Sequence, residues 1–273
     1  MTKITASDVN NLRKISGAGI MDCKNALVEA NGDTETAIEI LRKKGQKVAA
    51  KRADRESSEG AAIAKVNSDN TIGVIISLNC ETDFVAKNET FIDLANELAE
   101  LAISHKTMDD FLNCEIDSMT VNEKLIQQTG VIGEKLVIGN FEKISAGYVG
   151  KYIHAGNKIA TIVGFSKSVD GIEEASKNVA MQAAAMNPIA LDENGVDQKT
   201  IEKEIEIAKD QLRQEGKPEA MLDNIAKGKI KRFFKDNTLV NQDYIKDNKV
   251  SVAAYVKSAG NAEVTAFARV ALV

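Results

Sequence analysis

One order of patterns occurs twice along this chain, and that repeat constrains the fold more than any single motif. Residues 61–66 and 71–78 read as two strands joined by a turn at Asn67-Ser68-Asp69-Asn70. In the second of these, Ile72, Val74, Ile76 and Leu78 alternate with Gly73, Ile75 and Ser77, which predicts a strand with one well-buried face. A helix follows from about Asn88, with Phe91, Leu94, Leu98, Leu101 and Ala102 at helical spacing. The same order returns at 148–154, a turn at Ala155-Gly156-Asn157, and 159–165, before a helix that places Ile172, Ala175, Val179 and Ala183 on one face. Each copy then closes with a helix and a strand, at 121–132 and 136–144 in the first and at 252–257 and 264–270 in the second. The pattern predicts an α+β fold with a duplicated core, each half an antiparallel sheet covered by helices.

Two further regions stand outside the repeat. Residues 5–45 carry three short helical patterns: Thr5 precedes Val9, Leu12 and Ile15, and Gly17 stands where a helix ends. The second runs from Ile20 to Ala30 and closes at Asn31-Gly32; Asp33 caps the third, whose Ala37, Ile38 and Leu41 lead to Gly45. So small a bundle needs neighbours to be robust. The Gly17-Ala18-Gly19 turn follows a helix and lacks a third glycine, which rules out a dinucleotide loop. Ile20 and Met21 open the second helix, either as an exposed partner-binding pair or as core filling. Arg42, Lys43, Lys44, Lys47, Lys51, Arg52 and Arg55 form a basic run that ends in Ser57, Ser58 and Gly60. It reads as a helix tail entering a linker, its charges either a solvated face or a local RNA-contacting patch.

The second copy of the repeat carries an insertion at about 192–244. Ile201, Ile205, Ala208 and Leu212, then Gly216-Lys217-Pro218, then Leu222, Ala226, Ile230 and Phe233 predict an inserted antiparallel coiled-coil hairpin with one narrow apolar seam. A projecting arm suits interaction, including the pairing of two copies into a homodimer, or solubility better than catalysis. The expected units are 1–55, helical; 56–146, the first core half; and 147–273, the second half with its arm.

Composition removes several function classes. A net charge of −5 argues against a whole-molecule binder of nucleic acid or anionic membranes, and the absence of Trp leaves little for base stacking. Three scattered cysteines and two histidines predict reduced thiols in a cytoplasmic protein without a metal site or cofactor. Met1-Thr2-Lys3-Ile4 opens neither a signal nor a transit peptide, and no apolar run approaches membrane-spanning length. There is no GxSxG, no P-loop and no HExxH; Glu81, Asp83 and Asp93 lie close in sequence without any sign of a metal cage. His105 and His154 read as structural or exposed. These absences point to an interaction device, not an enzyme.

One stretch asks for a partner. In Asn79-Cys80-Glu81-Thr82-Asp83-Phe84-Val85 a strand hands over to a helix, and connecting loops are usually polar. Either Phe84 folds back under its own helix while Asp83 helps to cap it, or Phe84 is a wedge for another protein's pocket.

Thr82-Asp83-Phe84-Val85 after Asn79-Cys80, with Leu12-Arg13 through Gly17-Ala18-Gly19-Ile20-Met21-Asp22-Cys23-Lys24-Asn25-Ala26-Leu27, closely resembles the bacterial elongation factor Ts family. The likeness covers nearly the whole chain, including the Glu263-Val264-Thr265 strand. It implies a guanine-nucleotide exchange factor for elongation factor Tu, a translational GTPase, met in its GDP-bound or nucleotide-free form. By that resemblance the N-terminal domain is similar to a ubiquitin-associated fold and docks on the partner's nucleotide domain through Ile20 and Met21, with Leu12 beside them. Thr82, Asp83, Phe84 and Val85 would then insert near the partner's Mg²⁺ and dislodge it, with His154 at the interface and the arm reaching outward. The wedge reading of Phe84 gains accordingly. One departure stands: family members often carry a helix beyond the last strand, and with this chain stopping at Val273 any contact of that helix is expected to be absent or replaced.

Overall fold

Local capping sets the first helices. The computed structural model describes residues 4–272; Met1-Thr2-Lys3, part of the opening read above for targeting signals, and Val273 lie outside the described residues. Helix α1 (Ala6–Ser16) starts on a reciprocal cap in which the Asp8 carboxylate accepts from the Thr5 N–H at 2.8 Å and Thr5 Oγ1 accepts from the Asp8 N–H. It stops at Gly17, which takes the left-handed φ of 67°. Helix α2 (Ile20–Glu29) and helix α3 (Thr34–Lys51), the latter capped by Asp33, complete a bundle around Leu12, Cys23, Ala26, Leu27 and Ala37.

The first core half runs β1 (Glu59–Val66), β2 (Ile72–Cys80), α4 (Asp83–Ala86), α5 (Glu89–Ala102), α6 (Met108–Leu112), the two-residue strands β3 (Glu115–Ile116) and β4 (Met119–Thr120), α7 (Val121–Ile132) and β5 (Val137–Ser145). The second runs β6 (Tyr148–Ile153), β7 (Ile159–Phe165) and α8 (Ile172–Met186). Then come the inserted α9 (Gln198–Gln214) and α10 (Glu219–Asn237), the short β8 (Asp243–Tyr244) and β9 (Asp247–Ser251), α11 (Val252–Ser258) and β10 (Val264–Ala271). The sheets are ordered β1-β2-β5 and β6-β7-β10, both antiparallel. In each, the second hairpin strand is central and the closing strand pairs on its far side, so the same topology occurs twice. In the arm, Ala208, Leu212, Leu222 and Ala226 form the buried seam. Pro218 stands at the N-cap, just before α10.

Two expectations need correcting. Strand β2 has two buried faces, not one. Val74, Ile76 and Leu78 pack with Phe91 and Leu98 of α5, whereas Ile75 points the other way, among Ala62, Ala64, Val149 and Ile162. The sheets therefore lie back to back with helices outside, and Gly73 makes room: a Cβ there would sit 2.6 Å from Val149 Cγ1. Helix α3, for its part, runs through Gly45 to Lys51. Gly45 is a packing glycine, because a Cβ on Gly130 of α7 would come within 2.5 Å of the Gly45 Cα. The bundle is thus seated directly on the core.

Gly130→Val should lower stability by about 1–3 kcal/mol, the cost of overpacking, and part α3 from α7. Urea unfolding checks this; an unchanged midpoint would show that the crossing is not close-packed.

Candidate partner-docking site

The site is built at the exit of β2. Cys80 Sγ donates to the Thr82 carbonyl at 3.2 Å, and Thr82, extended at φ −126°, caps the single turn α4 by accepting the Val85 N–H. Thr82, not Asp83, is the cap. Helical geometry then divides the turn: Val85 packs against the first-half core and Ala86 is buried, while Phe84 projects into solvent, 83% exposed. The inward reading of Phe84 is excluded by this placement. Asp83 pairs with Lys87 one turn on, at 2.6 Å, and the Lys87 ammonium holds its carboxyl below the usual carboxylate range.

Two carboxylates tie this turn to the loop after α7. Glu134 Oε2 accepts from the N–H groups of Glu81 and Thr82 at 3.1 and 3.0 Å, and Oε1 accepts from the Thr82 hydroxyl at 2.6 Å. In return, Glu81 Oε1 accepts from the Lys135 N–H at 2.7 Å, and Arg52 Nη1 reaches both Glu81 oxygens at 2.7 and 2.8 Å. Lys135 Nζ donates to the carbonyls of Ala53 and Arg55. The segment after α3, expected as a linker, is therefore pinned beneath the Phe84 turn. Of the basic run, Lys43, Lys44 and Arg52 are engaged in ion pairs.

His154 lies in the exposed β6–β7 turn, its Nδ1 3.0 Å from the Tyr152 hydroxyl. That turn abuts the same end of β1 as the Phe84 turn. The Ala62 N–H donates to the Asn157 carbonyl at 2.7 Å, Lys158 pairs with Glu59, and Glu59 stands opposite Cys80 in the sheet register.

Ile20 and Met21 are 51% and 62% exposed, as a docking pair requires. Ile15, counted above among the apolar stripe of α1, and Val28 are also exposed on this bundle. Leu12, expected beside the pair, is fully buried, because the 3.6-residue period of α1 turns Val9 and Leu12 inward together. The carboxylate ties between β2 and the α7 loop escaped the sequence reading, since their halves lie 52–54 residues apart.

Among the described residues no three or more His, Cys, Asp or Glu side chains converge as a metal site, and no helix is long and apolar enough to cross a membrane.

The model of the family described as Elongation factor TS matches residues 81–273, from Glu81 of the tie through the last strand. The chain belongs to the elongation factor Ts family. It is 69% identical to an elongation factor Ts of Christiangramia forsetii and 67% identical to one of Flavobacterium psychrophilum, each over the full length of both chains. An elongation factor Ts of Amoebophilus asiaticus is 49% identical over 98% of each chain. The family model takes in the Phe84 turn and His154, while Ile20 and Met21 lie in the part matched by the full-length relatives.

Burial, with the Glu134 charge second, pushes the Cys80 thiol from its ordinary 9.0 up to about 12. The folded state then holds a proton that the unfolded state loses, so this group's contribution to stability falls as pH rises from 9.0 towards 12. At pH 8 the thiolate fraction should be about 1000-fold below that of a free thiol. Peptide mapping after iodoacetamide treatment should find Cys80 unmodified in the native chain, and Cys80→Ser should flatten the alkaline loss of stability. Rapid native alkylation at pH 8 would contradict both.

Proposed function

We propose that this chain is a guanine-nucleotide exchange factor that acts on elongation factor Tu–GDP by wedging Phe84 into the partner beside its nucleotide-bound Mg²⁺. Family membership supports the coarser part, a nucleotide exchange factor of translation elongation with elongation factor Tu as its partner. The observation that carries the finer part is a phenyl ring left in water on a turn tied down at several points.

A GTPase holds its switch segments through phosphate and Mg²⁺ contacts, so a side chain that displaces those segments weakens ion and nucleotide together. No covalent step is needed. Burying Phe84 in the partner contributes about 1.5–3 kcal/mol, and central aromatic anchors commonly dominate an interface. Asp83 is neutralised locally by Lys87 and shapes the turn; it is not a phosphate mimic. Ile20 and Met21 supply a separate apolar docking contact from a domain of ubiquitin-associated type, and His154 borders the wedge. The arm, a coiled-coil hairpin, extends the contact surface or pairs two copies. The exchange takes place in the cytoplasm. Whatever factor this chain removes from GDP affinity, GDP removes from the affinity of this chain, so incoming nucleotide releases the factor.

Phe84→Ala should slow fluorescent-GDP release from elongation factor Tu at saturating factor by about 10- to 100-fold, the equivalent of losing the ring's burial. Ile20→Asp with Met21→Asp should raise the half-saturating concentration and change the saturating rate less. Wild-type release by Phe84→Ala would overturn the wedge.

A further inference from the structure

We infer that Glu134 is a positioning residue of the exchange reaction, acting through Thr82 to aim the Phe84 ring; this deepens the wedge reading and rests on it for its functional consequence. A one-turn helix has too few internal hydrogen bonds to hold itself, and α4 is four residues long. Its buried side, Val85 and Ala86, limits how the turn sits, but the ring, 83% exposed, has little cover of its own to fix its direction.

Glu134 meets that need with one side chain. Helix α7 ends at Gly133, whose left-handed φ of 83° turns the chain so that the next residue faces the β2 exit. Both carboxylate oxygens are then used: Oε2 takes two consecutive N–H groups and Oε1 takes the Thr82 hydroxyl at 2.6 Å. That hydroxyl in turn accepts the Val85 N–H. The carboxylate therefore reaches the first turn of α4 through a single oxygen, and its hold extends across the residue that carries the ring. The tie is reciprocal, since Glu81 accepts from the Lys135 N–H next to Glu134 and is itself held by Arg52. Leu136, buried, anchors the far side by donating its N–H to Thr129 Oγ1. Charge-assisted bonds from backbone N–H to carboxylate are stronger than neutral ones. Losing them frees the turn to sample orientations that the partner must then reorder.

Two measurements on the full chain test this. The first needs no partner: amide exchange by NMR at Glu81, Thr82 and Val85. Glu134→Ala should accelerate it by about tenfold or more at these sites, relative to amides of the central strands. The second is stopped-flow release of fluorescent GDP from elongation factor Tu over a range of factor concentrations. Mispositioning should lower the saturating rate by about 10- to 100-fold. A merely structural loss would lower the active fraction, which raises the half-saturating concentration and leaves the saturating rate unchanged.

Glu134→Gln keeps one acceptor oxygen and the side-chain volume. It should lie between wild type and Glu134→Ala on both readouts, and it carries the test if the alanine variant does not fold. Thr82→Val combined with Glu134→Ala should cost less than the sum of the two, because one bond is removed twice. Unchanged amide exchange in the Glu134 variants overturns the inference, as does faster exchange with an unchanged saturating rate. If Phe84→Ala itself releases GDP at the wild-type rate, the wedge reading fails, and the amide result still decides whether Glu134 holds the turn.

Discussion

A phenyl ring kept in water gains nothing from its own surroundings, so its direction has to be set by the backbone on which it stands. Leaving Phe84 outside forgoes about 1.5–3 kcal/mol of burial, and the chain adds polar ties around it instead of apolar cover. The Thr82 cap, the Cys80 thiol and the Glu134 carboxylate each bind main-chain groups of the turn. An exposed aromatic on a loose loop would lose much of its binding energy to ordering on contact. On a tied turn that ordering is already in place before the partner arrives.

The ties hold only because both ends are anchored in something that does not move. Strand β2 is buried on both faces, by α5 on one side and the second sheet on the other, and interiors packed in this way transmit displacement and do not absorb it. The duplication supplies that second sheet. It also shows what was specialised. The strand equivalent to β2 in the second copy is β7, and it ends in Phe165, which is fully buried, before a left-handed Gly171 opens α8. By register Phe165 corresponds to Cys80, each the last residue of its strand and both buried, and the first copy alone then carries an aromatic, Phe84, in the passage to its helix.

Much of this organisation is legible in the sequence, because helical and strand periods survive in any order of packing. The order of elements follows from the periods of Ile72–Leu78, Phe91–Ala102 and their second-copy counterparts. Failures arise where long-range packing overrides a local rule. Gly45 looks like a helix stop, yet its missing side chain serves a crossing with Gly130, 85 residues away in the sequence (130 − 45). The second face of β2 shows no clear alternation, because Gly73, Ile75 and Ser77 mix small and large residues. Spacing leaves the direction of Phe84 open, since a one-turn helix is shorter than the period that would reveal its face. The Glu81–Glu134 tie has no local signature at all. For Leu12 the period alone is decisive: it places the residue in the core, where it lies, while the family resemblance sets it beside the docking pair.

The continuation of α3 past Gly45 bears on how the two proposed contacts would work as one. Asp22 of α2 pairs with Lys44, and eight residues on, about 12 Å of helix, Arg52 holds Glu81 beneath the Phe84 turn. An exposed pair such as Lys44–Asp22 contributes roughly 0–1 kcal/mol, and even with the part-buried Arg52–Glu81 pair two ion pairs are too little to hold a domain in place. The rigidity has to come from the helix itself and from its close crossing on α7, with the ion pairs fixing its C-terminal half in register. A flexible joint between the Ile20–Met21 patch and the Phe84 turn would let docking raise only the local concentration of the wedge. Under the proposed wedge mechanism a continuous helix fixes orientation as well, so that docking of the bundle would deliver the ring at a set angle, with little of the docking energy lost to rotational freedom.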